Sequence, residues 1–152
     1  MSYNCYLMKF NFAFIKLKFV CYKTPKGGTM SAPKKPQVLI EEFEHGKCES
    51  EITSTDGRDI IKHGPSKTWL KSRLVLSEHY KHGKRDGLQT KYYTNGDVYK
   101  TVNWVDGVKH GDVCVNLENG NCVKYTNVNG EISGPKYTWN ARGDLIECVE
   151  FD

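Results

Sequence analysis

The sequence lacks most of the signatures that announce chemistry. It contains no Gly-rich phosphate loop, no nucleophile elbow and no H-E-x-x-H motif. Nucleotide binding, acyl transfer and zinc hydrolysis therefore have no recognisable anchor. The six cysteines (Cys5, Cys21, Cys48, Cys114, Cys122 and Cys148) form no C-x-x-C pair. Their irregular spacing matches neither a zinc motif nor a disulfide framework, so they read as small buried hydrophobes. The expectation is a protein with no catalytic residues, no metal and no cofactor.

Long hydrophobic runs are absent too. The most apolar stretch, Cys5 to Tyr22, is broken by Lys9, Asn11, Lys16 and Lys18. A transmembrane helix would bury those lysines at about 2.5–3.5 kcal/mol each, and a signal-peptide core would be uninterrupted. An intracellular or virion-associated location is expected. Hydrophobic residues make up only 38% of the 152-residue chain while glycine occurs 14 times, which favours a thin or elongated body over a thick globule.

Charge is unevenly placed. Residues 1–36 hold seven Lys and no acid, +7, leaving 15 basic and 18 acidic residues in 37–152, −3. The body is mildly acidic, which argues against nucleic-acid binding there. The arm is basic and aromatic. Phe10, Phe12 and Phe14 alternate with Lys9, Asn11 and Ala13, then the phase flips so that Leu17 and Phe19 separate Lys16, Lys18 and Val20. This pattern suits a strand with a bulge, or an arm lying on a partner. Lys9, Phe10, Phe12, Phe14, Lys16, Lys18 and Phe19 are the candidate partner-binding residues. Thr24 to Pro36 is rich in Pro, Gly and Lys and reads as a linker. From Met30 the segment MSAPKKPQVLIEEF also reads as an ordinary soluble N-terminus.

What is present is a repeat. Glycines fall at Gly83, Gly87 and Gly96, at Gly107, Gly111 and Gly120, and at Gly130, Gly134 and Gly143. Each trio has spacings of four and nine, and successive trios start 24 and 23 residues apart. A fixed period of this size marks a stacked-repeat architecture. Residues 79–152 hold three good units and 37–78 hold diverged ones, as expected where an array ends. In the latter, Asp56-Gly57 reads as a hairpin turn and Ser72-Arg73 replaces an Asn-Gly turn. Asn95-Gly96 and Asn119-Gly120, with Arg142-Gly143 in the last unit, are expected to form type I′ turns between strands. Asp106-Gly107 and Asn129-Gly130 mark a second turn per unit. Four histidines, His45, His63, His82 and His110, precede glycine and read as turn residues at positive φ.

Alternation assigns faces. Val98, Val102 and Trp104 share one, with counterparts Cys122, Thr126 and Val128, then Leu145, Val149 and Phe151. This is the expected core face, with Lys100, Lys124 and Glu147 inside it. Tyr99, Thr101, Asn103 and Val105 lie opposite, as do Ile146, Cys148, Glu150 and Asp152. The fold class is all-β, an elongated antiparallel meander of hairpins. The many Tyr and Trp read mainly as cross-strand packing.

The segment WVDGVKHGDVCVNLENGNCVKY (Trp104–Tyr125) resembles the MORN repeat, particularly the variant repeats of bacteria and large DNA viruses. Trp104, Gly107, Gly111, Gly120 and the Tyr99 that follows Gly96 carry the resemblance. Gln89, Val113, Lys136 and Thr101 stand where that family has further glycines. The resemblance implies a non-enzymatic hairpin strip that serves in protein assembly, dimerisation or placement at membranes, and it implies no catalytic residue. The expected partners are other proteins, with a minor structural role in a large viral assembly as the expected setting. Attachment to anionic membrane through residues 1–36 is one alternative, at about 1 kcal/mol per Lys near the surface. An antitoxin-like binder is the other.

Overall fold

The computed structural model describes residues 16–20, 37–55 and 59–152. Within them the chain is strand and turn, with no helix. The strands are β1 (Lys16–Val20), β2 (Gln37–Phe43), β3 (Gly46–Thr55), β4 (Asp59–Leu70), β5 (Arg73–Lys81), β6 (Lys84–Arg85), β7 (Gly87–Tyr92), β8 (Val98–Val105), β9 (Val108–Asn116), β10 (Cys122–Val128), β11 (Glu131–Trp139) and β12 (Leu145–Phe151). All belong to one antiparallel sheet in chain order, with short β6 pairing β5 off the main path. The all-β hairpin meander expected from the repeat is the observed fold. The Asp56-Gly57 turn lies outside the described residues.

The nine repeat glycines all adopt positive φ, but for three different reasons. Gly83, Gly107 and Gly130 close two-residue hairpins whose first residues, His82, Asp106 and Asn129, also have positive φ, at 49°, 49° and 52°. Two positive φ values in succession define the type I′ turn. Gly87, Gly111 and Gly134 interrupt strands, and Gly64 does the same in β4 with φ 108°. Gly96, Gly120 and Gly143 end wider loops.

This distribution corrects three expectations. Asn95, Asn119 and Arg142 do not have positive φ. In their loops Gly96 N–H donates to Tyr93 O at 3.0 Å and Gly120 N–H to Leu117 O at 2.9 Å. These are type I turns closed by a left-handed glycine, the commoner three-residue hairpin form. Second, the diverged turn is Lys71-Ser72, with φ 46° and 65°, and Arg73 already begins β5. Third, of the His-Gly pairs only His82 sits at positive φ. His63 and His110 lie in strands, where each Nδ1 accepts the N–H of a turn residue in the next unit, His82 at 3.3 Å and Asn129 at 3.5 Å. Asp86 fills the equivalent role for Asp106, at 3.3 Å. An exposed-edge amide is thus satisfied by whichever acceptor the position carries.

Most of the core is one file of side chains running across the sheet on one face, with Ile52 beside its β3 end. Register links Leu39 to Ser50, Ser50 to Ser66 and Ser66 to Glu78. Gln89 follows through its hydrogen bond to Glu78, then Val102 and Val113. All seven are buried. Four of the seven are polar and satisfy one another: Ser50 and Ser66 Oγ lie 2.8 Å apart, and Glu78 accepts from the neighbouring strands. Val102 and Val113 each contribute about 1.5–3 kcal/mol. The file loses cover beyond β9, where Tyr125 is half-buried and Val149 is exposed.

The expected core face holds for Val102, Trp104, Val149 and Phe151, but Val98 and Leu145, on the turn side of a bulge, take the opposite face, and in β10 the whole face is reversed. Val102 pairs Val113, and Val113 pairs Tyr125, so Tyr125 and not Thr126 shares the Val102 face. Asn127, 3% exposed, is buried on that same face. Cys122, Thr126 and Val128 point the other way. The cause is one residue. β5, β8 and β12 each carry a bulge just after their turn, leaving Val75, Tyr99 and Ile146 unpaired. β10 pairs β9 without interruption and has seven residues where β8 has eight. A one-residue difference exchanges the two faces.

Candidate interaction surface

Of the seven candidate partner-binding residues, Lys9, Phe10, Phe12 and Phe14 lie outside the described residues. Lys16, Lys18 and Phe19 fall in β1, which adds to the β2 edge. The register sets Lys16 opposite Glu42, Leu17 opposite Glu41 and Lys18 opposite Ile40. A basic strand thus meets an acidic one. The chain's own segment occupies an edge that would otherwise offer unpaired N–H and C=O groups. The nine glycines are distributed through the turns and strands of the body and do not converge on one site.

The two faces of the sheet differ in chemistry. On the Val113 face a ribbon of charges and rings crosses β2 to β9. Lys62 Nζ reaches Glu41 Oε2 at 3.3 Å and lies 5.5 Å from the Tyr80 ring. Tyr80 O–H donates to Glu78 at 3.1 Å, and Arg85 Nε donates to Glu78 at 2.6 Å. Arg85 and Lys109 then flank the Trp104 ring at 5.2 and 5.9 Å. Trp104 Nε1 is buried without a hydrogen-bond partner.

These contacts shift the titrations. Burial pulls the Lys62 ammonium down, but the combined pull of Glu41, Cys48 and Tyr80 outweighs it and holds Lys62 above its ordinary value. Burial and then the Glu78 carboxylate push the Tyr80 phenol up. The hydrogen bond to Glu78 raises Arg85 against its partial burial. The ribbon is self-neutralising and internally bonded, so it spends its polar groups on the sheet itself.

The opposite face, which carries Cys114, is apolar and open. Leu88, Val105, Val108 and Val128 project there, 53%, 48%, 45% and 43% exposed. They adjoin a groove of about 570 Å³ lined by Asp112, Cys114, Lys124, Thr126, Tyr137 and Trp139. The Tyr137 and Trp139 rings lie 5.5 Å apart, and Lys124 Nζ is 5.6 Å from the Trp139 ring. The reversal of β10 builds this groove, because it moves Cys122 and Thr126 onto this face. Thr126 Oγ1 donates to Asp112 at 3.0 Å. Cys114 and Cys122 bring their sulfurs to 3.7 Å. Burial, and then the Cys122 contact, push the Cys114 thiol up.

The cysteines differ from expectation. Cys48, Cys114 and Cys122 are half-buried free thiols and Cys148 is exposed. Sequence reasoning missed the Glu78–Arg85–Trp104 ribbon and the Cys114–Cys122 pair. The pair did leave a signal, since the two residues flank the Asn119-Gly120 loop, but an irregular Cys spacing hid it. Among the described residues no helix is long and apolar enough to cross a membrane. Nor does any group of three or more His, Cys, Asp or Glu there form a metal cage. The chain matches no protein-family model, and no curated protein shows significant similarity to it.

Proposed function

We propose that this protein is a non-enzymatic β-repeat scaffold that binds another protein through the Cys114 face of its sheet. One observation carries the reading: among the described residues four hydrophobic side chains are buried, whereas eleven large ones are exposed. Four of those eleven, with Tyr137 and Trp139, lie on one face between β7 and β11. Contiguous exposed apolar surface with aromatic anchors is what protein partners cover. On the Val113 face Glu41, Lys62, Glu78, Tyr80 and Arg85 are already bonded to one another, which leaves less to offer. The resemblance to MORN repeats supports the same class of role, and an acidic body with a basic arm suits a component of a larger assembly.

Site-specific photo-crosslinkers test this. Placed at Leu88 and at Val108, they are expected to give protein adducts in native extract. The same group at Ile60, which is 46% exposed on the Val113 face, is expected to give few. Adducts at Ile60 alone, or at none of the three, would remove the proposal.

A further inference from the structure

We infer that Cys114 and Cys122 form a two-thiolate binding site for a soft divalent cation of the zinc and cadmium class, open on the groove side. Cys114 lies in β9 and Cys122 in β10, on one face, with their sulfurs 3.7 Å apart. Two thiolates on one tetrahedral ion, each about 2.3 Å from it, stand about 3.8 Å from each other. The sheet therefore holds the sulfurs at the spacing of one edge of a tetrahedral site before any ion arrives.

A disulfide fits the same pair less well. Cys114 is directly opposite Lys124, and Cys122 is opposite Asn116. The two cysteines are thus diagonal neighbours, whose Cα atoms are typically about 7–8 Å apart. A disulfide usually needs less than about 7 Å, and its sulfurs must close to about 2.05 Å. Oxidation asks the ladder to move, whereas coordination does not.

The surroundings complete half a site. Asn116 Oδ1 lies 4.0 Å from Cys114 Sγ, while its amide nitrogen is held by Val98 O at 2.9 Å. That hydrogen bond fixes the oxygen toward the thiols. Two positions on the ion remain for water or for a donor from a docked protein. Binding replaces two S–H protons: the ion gains two metal–sulfur bonds and two protons pass to solvent. Affinity therefore rises with pH, because the ion competes with protons for both sulfurs. The other titratable groups on this face of β9, β10 and β11 are Lys124, opposite Cys114, Asp112, which accepts from Thr126, and Tyr137, which pairs with Lys124. On the β9 side the neighbouring β8 residue is Thr101, and on the β11 side it is Trp139.

The test uses the full reduced chain with Cys5, Cys21, Cys48 and Cys148 replaced by Ser, so that only the pair remains. Cadmium ion alone is titrated and the thiolate-to-metal absorption band is followed. Saturation is expected at one ion per chain, or at one per two chains if two half-sites share an ion. Adding Cys122→Ser, or separately Cys114→Ser, is expected to weaken binding at least 100-fold while the circular dichroism stays unchanged. Absence of the band, or equal affinity after either substitution, overturns the inference. So does a 2 Da mass loss with oxidised glutathione in a chain that gives no cadmium band.

Discussion

At the scale of single residues, the molecule keeps its charges by pairing them within the sheet. Glu78 is 7% exposed and accepts from Tyr80, Arg85 and Gln89. A carboxylate buried without such donors would cost several kcal/mol, so the three donors are the condition for its place in the core file. The same network predicts an alkaline limit to stability. Tyr80 and Lys62 both hold their protons more tightly in the folded sheet than in the unfolded chain. Above the ordinary tyrosine and lysine range, at about pH 10, the folded state binds more protons than the unfolded one. Stability is then fully present below that range and falls as pH rises through the raised folded values. Tyr80→Phe should cost about 1 kcal/mol at pH 8 through the lost hydrogen bond, and should then decline less steeply than wild type toward pH 11. Urea midpoints at constant m measure both. Parallel slopes for the two proteins would show that Tyr80 is not coupled to Glu78.

At the scale of elements, the informative feature is the strand that breaks the pattern. The glycine spacing made the turns legible, and the hairpin order followed from them. The face of β10 was not legible from the Asn-Gly end, because counting forward from Gly120 assumes a bulge that β10 lacks. Counting backward from Asn129-Gly130 places Tyr125 with Val102 and gives the observed faces. The sequence offered both frames, and only pairing decided between them. The polar part of the core file was hidden for another reason: Ser50, Ser66, Glu78 and Gln89 look like surface residues until their cross-strand partners are known. An insertion experiment checks this account. One residue added between Asn121 and Cys122 should be absorbed as the bulge that β5, β8 and β12 already carry, at a cost of about 1 kcal/mol or less. One residue added between Tyr125 and Thr126 should turn Tyr125 or Asn127 out of the core file and cost about 2–4 kcal/mol. Equal losses for the two insertions would mean that β10 is not held in register by its buried face.

At the scale of the whole molecule, each described strand forms its ladder only with its neighbours in the sheet, so stability is largely local and need not be uniform. A sheet of this kind approximates a one-dimensional array, in which the terms for each hairpin and each interface add along the chain. The buried file runs from β2 to β9, and its apolar end is Val102 and Val113, 4% and 1% exposed. β12 ends the described sheet with Leu145, Ile146 and Val149 exposed at 53%, 54% and 37%, so it adds ladder hydrogen bonds but little burial. Amide hydrogen exchange should therefore grade along the sheet. Protection should be greatest in β8 and β9, lower in β10 and β11, and least in β12, with β12 exchanging by local opening while β8 and β9 exchange only through larger unfolding. Covering the Cys114 face with a bound protein should raise protection in β9 to β11 first, because the groove spans those strands. Uniform protection from β4 to β12 would instead mean that the sheet unfolds as one cooperative unit, and that the hairpins are coupled by more than their nearest neighbours.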